Sequence, residues 1–363
     1  MSDPAPPPSS PWLTGVMPGT TSGSRSDAPQ GTAAGTGVRH SYPLKVRSHS
    51  LSTAFGLLMQ SLPYALARFG VLLAADFVGI LWIVITFGGG AWLTAHIAQA
   101  FGLIWIVAWI IGVGWFWGTV LRYALHLIAC GHVAVLTELI TRGEVGNGSE
   151  SMFSYGKRIV TEKFGQVTAL FGMNALVRGI LQSFHRTLDW IGEMLPIPGL
   201  DSVASILNML LRAATRYMDK VIFSYNLARN DPDPWVGARE GIIYYCQNAK
   251  PILQTSIWII ILERVLSVVL WLILLVPAGL ITLALPHAVR EMGGFITVLV
   301  ALLLASAVRG AFLKPLFLIM MMVRFHTLVE NQPIDAEWNQ RLAAVSDKFR
   351  DFGSGVMGAA KRF

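Results

Sequence analysis

An all-α, polytopic membrane helix bundle is the fold class this sequence predicts, and three observations carry it. The 363 residues are 53% hydrophobic and only 13% charged, about half the charged fraction of an ordinary soluble domain. Mean hydropathy is +0.55. Phe77–Leu121 is a run of 45 residues without Asp, Glu, Lys or Arg, and Val265–Val289 is another of 25. A bilayer span needs about 20 predominantly apolar residues, so the second run crosses once and the first is long enough to cross twice. A soluble enzyme is excluded on composition.

Taken in order, residues 1–50 contain Pro6-Pro7-Pro8 and a Gly/Ser/Thr/Ala run from Gly19 to Gly37. Too little apolar surface is present to repay ordering, which predicts a disordered cytoplasmic tail. It lacks the basic start, apolar run and cleavage site of a signal peptide, so the first span is expected to act as an uncleaved anchor. Residues 51–328 form the expected transmembrane helical domain. Its first span is placed at Phe69–Ala95, after Arg68, with Asp76 the one charge inside it, and His96–Gln99 makes a short turn. The second begins near Ile97 and continues past Arg122 through Tyr123–Ile140; one long tilted helix and two pieces broken near Gly112–Gly118 both fit. Residues 141–163 are a polar loop broken by Gly143, Gly146 and Gly148.

Two weaker segments follow, Phe164–Phe184 and Leu200–Phe223, carrying Arg178, Arg212 and Arg216. As surface helices they would lie at the interface; as spans they would be shielded inside the bundle. Gly165, Gly172 and Gly179 recur every seven residues and Gly114-x-x-x-Gly118 every four, spacings that let another backbone approach a helix closely. The first set favours Phe164–Phe184 as a true span. Asn230-Asp231-Pro232-Asp233-Pro234 cannot stay helical through its prolines. Trp235–Lys250 reads as an amphipathic helix before the strong pair Ile252–Leu285 and Met292–Arg324. A polar cytoplasmic tail, 329–363, includes a short amphipathic helix around Trp338–Phe352. Four spans are strong, and about six are expected, with both weaker segments crossing so that loop 141–163 and the 229–250 stretch both fall inside.

Lys and Arg set the orientation. Arg25, Arg39, Lys45, Arg47 and Arg68 precede the first span, the 96–99 turn has none, and loop 141–163 carries Arg142, Lys157, Arg158 and Lys163. The 286–292 turn has only Arg290. Positive charge accumulates inside, which places both termini in the cytoplasm and makes the span number even.

No catalytic constellation is visible: no Gly-x-Ser-x-Gly elbow, phosphate-cradling Gly loop or His-Glu-x-x-His. An enzyme, a cofactor and a metal are therefore not expected. His126 and His132, six apart, fall on different helix faces. Cys130 and Cys246 are too few for a disulfide framework and read as buried thiols. The net charge of +7 is gathered beside apolar segments rather than in a basic block, so lipid and not nucleic acid is the expected partner.

Intramembrane charges say more. Asp76, Glu263, Arg264, Arg309 and Lys314 lie within or at the ends of the strong spans, each at a cost of roughly 2.5–3.5 kcal/mol near a helix centre. Glu263 and Arg264 point about 100° apart and cannot stack on each other; Glu263 is expected to pair with Arg309 or Lys314 on the following antiparallel helix. A structural ion pair and a substrate or gating role both fit. Of the twelve tryptophans, Trp82 lies within two turns of Asp76 and Trp258 within two turns of Glu263. Interfacial belts account for most of them; the alternative is aromatic faces and carboxylates around a small organic cation, with Asp76, Trp82, Trp258 and Glu263 as the binding candidates.

Several short stretches occur in an order that resembles the choline transporter-like family. They are Trp117–Arg122 with Ala129–Ala134, Lys163–Gly172, Leu210–Ala228 with Tyr225, Ala238-Arg239 followed by Asn248, Ala305-Ser306 through Phe317-Leu318, and Leu328–Asn331. The resemblance covers about residues 105–331. It implies facilitated or ion-coupled transport of choline or a similar small organic solute. The rival expectation is a non-transporting membrane scaffold or assembly protein whose tails bind protein partners or a second copy of the chain.

Overall fold

The computed structural model describes residues 42–162, 217–230, 234–345 and 349. The tail over 1–41, the segment Phe164–Phe184, all but the end of Leu200–Phe223 and the last residues of the C-terminal tail lie outside the described residues. What is described is helical, without a β-strand.

Helix α1 is Leu51–Gln60, opened by Ser50, whose hydroxyl accepts from the Thr53 amide at 3.2 Å. Helix α2, Leu62–His96, is 35 residues long, has Pro63 in its first turn, where a missing amide costs nothing, and stops at a two-residue turn. Helix α3, Gln99–Trp115, passes through a wide π turn, Phe116–Leu121, into α4, Arg122–Thr141. The second span is thus one continuous 43-residue helix. Gly143, at φ +85°, ends α4 in the left-handed conformation that glycine takes without strain, and its amide reaches back to Glu138 O and Leu139 O. Helix α5 is Met152–Glu162, α6 covers 217–229 and α7 is Pro234–Gln247. The second hairpin is built from α8, Ala249–Ala284, and α9, His287–Val308, which runs through a π turn, Arg309–Leu313, into α10, Lys314–Val329. Pro315 accounts for that turn: its ring would collide with the carbonyl four residues back, and widening the helix just before it relieves the clash. Helix α11 is Ala336–Val345.

Four helices, Leu62–His96, Gln99–Thr141, Ala249–Ala284 and His287–Val329, are long and apolar enough to cross a bilayer. Their surfaces agree. Phe77, Ile104, Ile111, Leu283 and Phe295 are each at least 65% exposed, an outward apolar face that a lipid solvent requires. The buried core is elsewhere, at the end of the helices away from the two tight turns. It gathers Leu57 and Leu58, Val133–Leu136, Val221, Tyr244 and Tyr245, Ile252, and Phe317 to Phe325 into one cluster.

The first hairpin is held by two indoles. Trp82 of α2 donates to Trp109 O of α3 at 3.0 Å, and Trp105 of α3 donates to Ile85 O of α2 at 3.2 Å. An indole N–H in hydrocarbon needs an acceptor, so these two rings join the helices of the hairpin. The close backbone approach also differs from expectation. Gly114 and Gly118 meet none of the described residues within 4 Å, whereas a Cβ on Gly102 would lie 2.7 Å from Gly90 O. The smooth strip is at Gly90 and Gly102.

Residues 42–50, counted with the tail in the sequence, form an extended strap across the core. The Lys45 and Val46 amides donate to Ile140 O at 3.1 and 3.0 Å, filling carbonyls that the end of α4 leaves open, and Leu44 is buried. Part of the C-terminal tail packs back as well: Leu342 and Phe349 are buried, and Tyr244 donates to Gln332 O at 2.8 Å.

Candidate functional site

The two hairpins meet where α2 packs against α9 and the Arg309–Leu313 π turn. Phe69 lies 5.8 Å from Phe312 between ring centres, and a Cβ on Gly310 would meet Leu72 Cδ1 at 2.7 Å. Within the second hairpin, Glu263 and Arg309 each stand 23 positions from Pro286. A tight turn between antiparallel helices brings equidistant residues to one level, and the pair forms: Arg309 Nη2 donates to Glu263 Oε1 at 2.8 Å. The Tyr217 hydroxyl of α6 donates to Oε2 at 3.0 Å. Glu263 is 3% exposed, so a charge placed there requires these donors. The Arg309 Nε atom is buried with no hydrogen-bond partner among the described residues, as is Nε of Arg68 on α2.

The other candidates fall around this pair in different ways. Arg264 is exposed and Lys314 half-buried. Asp76 is half-buried on α2 with no hydrogen bond or ion pair among the described residues. Trp82 is committed inside the first hairpin, edge-on to Trp109 at 4.9 Å and stacked on Phe116 at 6.2 Å. Trp258 is 73% exposed on the outer face of α8. Asp76 and Glu263 stay candidates by position, while the two indoles sit on different surfaces.

A buried hydrogen-bond chain, with no signature in the local sequence, joins four segments at the core end. Tyr42 Oη lies 2.7 Å from His326 Nδ1, His326 Nε2 lies 2.8 Å from Ser224 Oγ, and Ser224 Oγ lies 2.8 Å from Thr137 Oγ1. Thr137 donates to Val133 O at 2.7 Å, which orders the protons. Ser224 donates to Thr137, His326 carries its proton on Nε2 and donates to Ser224, and Tyr42 donates to Nδ1. Burial raises the Tyr42 pKa well above its ordinary value, with Tyr244 and Glu330 adding to the shift, which suits a phenol that stays a donor. The chain ties strap, α10, α6 and α4 together and, with Ser224 and His326 fully buried, has no open approach.

His126 and His132 have separate surroundings. His126 Nε2 is 3.5 Å from Cys130 Sγ, beside the Asp219–Lys220 pair. His132 Nε2 lies 2.9 Å from the Ser61 hydroxyl, and its ring stacks on Tyr64 at 5.6 Å. Among the described residues no three His, Cys, Asp or Glu side chains converge to hold a metal ion. In comparisons with known proteins, no family model, no curated protein and no solved structure matches the chain.

Proposed function

We propose that this multi-pass membrane protein moves a small organic solute across the bilayer, by facilitated or ion-coupled transport, along the seam between its two helical hairpins. The reading rests on one observation: a carboxylate inside an apolar helix, Glu263, bound to an arginine that sits in a π turn. Ionisable side chains inside spans are costly and are kept where they serve an ion or solute path, and π turns recur at such places. An organic cation approaching Glu263 would compete with Arg309 for the carboxylate, and the wide turn gives Arg309 room to move aside. Asp76, on the α2 side of the seam, would be a second anionic contact. Choline is the solute to test first, because of the sequence resemblance. In this reading both termini are cytoplasmic and no step is catalytic.

A scaffold is the second reading, and it too has a specific support. Both Glu263 oxygens are already occupied and neither Trp82 nor Trp258 faces that carboxylate's donors, so the pair can serve as a bolt between anchoring hairpins. Uptake of radiolabelled choline into proteoliposomes separates the two. The transport reading predicts saturable uptake above protein-free vesicles, lost in Glu263→Gln that still elutes as a folded species. A folded wild type that admits neither choline nor other small organic cations leaves the scaffold.

A further inference from the structure

Two adjoining recesses open on the outer face of α8, of about 480 and 530 Å³. They share Thr255, Trp258 and Ile261. The first is closed by His49 of the strap and Met320 of α10, and the second by Gln254 and Arg324. The pair makes one channel with a composition that changes along its length. Toward the hairpin tip it is walled by Ile261, Leu262 and Val265; toward the core end it becomes polar. Arg324 lies one turn beyond Met320 on the same face of α10, and Lys250, exposed, lies two turns before Trp258 on the same face of α8. Arg324 lines the polar end, and Lys250 directly precedes the lining residue Pro251 along α8.

Among the described residues neither has its charge met. Arg324 makes no hydrogen bond or ion pair with any of them, and its buried Nε has no partner there. The acid closest to it along α10, Glu330, is held by Arg47 at 2.6 Å. Lys250 makes no side-chain hydrogen bond or ion pair among the described residues either. His49 supplies no counter-charge: burial, and then the Arg324 charge, keep its pKa below the ordinary value, so it is neutral near pH 7.

Depth then selects the ligand. Exposed apolar side chains on α8 run from Trp258 to Leu283, a rise of about 38 Å. The hydrocarbon layer is about 30 Å thick and the bilayer with its headgroups about 40–45 Å. Trp258 therefore falls in the interfacial zone that indoles favour, with Arg324 and Lys250 a turn or two further out at phosphate level.

We propose that this channel is a binding site for one anionic phospholipid of the leaflet facing the core end, its phosphate between Arg324 and Lys250 and an acyl chain along Trp258, Ile261 and Val265. Guanidinium and ammonium groups beside an interfacial Trp fit a phosphodiester; the apolar wall fits a chain and has no use for a free phosphate ion. The site is independent of the transport reading, since it uses none of Asp76, Glu263 or Arg309.

Native mass spectrometry of the full-length protein, extracted from vesicles of equal phosphatidylglycerol and phosphatidylcholine, counts the lipids retained. The wild type should keep phosphatidylglycerol in preference to phosphatidylcholine. Each cation near a membrane surface favours an anionic lipid by about five-fold, so Arg324→Gln should lower the preference about five-fold and Arg324→Gln with Lys250→Gln further. Gln254→Glu, at an exposed position that leaves the packing alone, should abolish it by repulsion, and Lys157→Gln, an exposed cation outside the channel, should not change it. Equal retention of the two lipids by wild type, or an unaltered preference in both Arg324→Gln and Gln254→Glu, would overturn the proposal.

Discussion

Replacing Glu263 by Gln removes one negative charge and almost no volume, and leaves Arg309 facing an amide. Two contacts set the cost. The 2.8 Å bond from Arg309 loses its charge assistance, while the 3.0 Å bond from Tyr217 can pass to the amide oxygen. Breaking a buried pair from one side costs about 3–5 kcal/mol, because the remaining charge is stranded. Glu263 is almost fully buried, but the Arg309 side chain keeps 23% exposure, which lets the guanidinium recover some hydration. The expected loss is therefore near the low end, about 3 kcal/mol, or a drop in Tm of roughly 4 °C for a chain of this length. Glu263→Gln with Arg309→Gln removes both charges and should regain most of it. Thermal unfolding of the purified protein, followed by circular dichroism in one detergent for all three proteins, reads the series. A single mutant within about 1 kcal/mol of wild type, with no recovery in the double mutant, would show that the carboxylate is solvated and the pair not desolvated, and the reasoning would fail.

Three further outcomes follow from other contacts. Gly102→Ala places a methyl 2.7 Å from Gly90 O and should cost about 1–3 kcal/mol, whereas Gly114→Ala meets nothing within 4 Å and should be neutral or stabilising in the same unfolding assay. His326→Phe keeps the ring volume but leaves Tyr42 without an acceptor and Ser224 without a donor, a loss of about 2–4 kcal/mol, while Tyr42→Phe should lose less than half of that. The hydrogen bond from Arg47 lowers the Glu330 pKa, so this pair's contribution is present above the ordinary glutamate value and is lost as pH falls through the lowered one. Urea midpoints measured from pH 6 down to pH 3 should show a small acid-side slope that Glu330→Gln reduces; an unchanged slope would mean the exposed pair contributes nothing.

How far the sequence carries this fold depends on whether a feature is local. The long charge-free runs define α2–α3 and α8–α9 because hydropathy and length are properties of consecutive residues. Glu263 and Arg309 were within reach because one tight turn sits midway between them. The strap was not: what orders Tyr42 is His326, 284 positions away, and no local pattern announces that partner. The roles of Trp82 and Trp105 were out of reach as well, because donating across a hairpin depends on which carbonyls face the ring. The π turns are silent in hydropathy, since a widened turn changes the helix by one residue without changing its composition. Gly114-x-x-x-Gly118 meets none of the described residues while Gly90 and Gly102 approach closely, and spacing cannot say which face meets a neighbour.

Two bilayer-spanning hairpins, with both turns on one side and the helical core on the other, are the centre of this account. The direct measurement is labelling with a membrane-impermeant thiol reagent, in sealed vesicles, of a protein whose Cys130 and Cys246 are replaced by Ala. Single cysteines are introduced as Ala98→Cys and His287→Cys at the two turns, and as Ser151→Cys before α5. With both termini cytoplasmic, Ala98→Cys and His287→Cys label from the outside, and Ser151→Cys labels only after the membrane is opened. Ser151→Cys labelling together with either turn in sealed vesicles would contradict the arrangement.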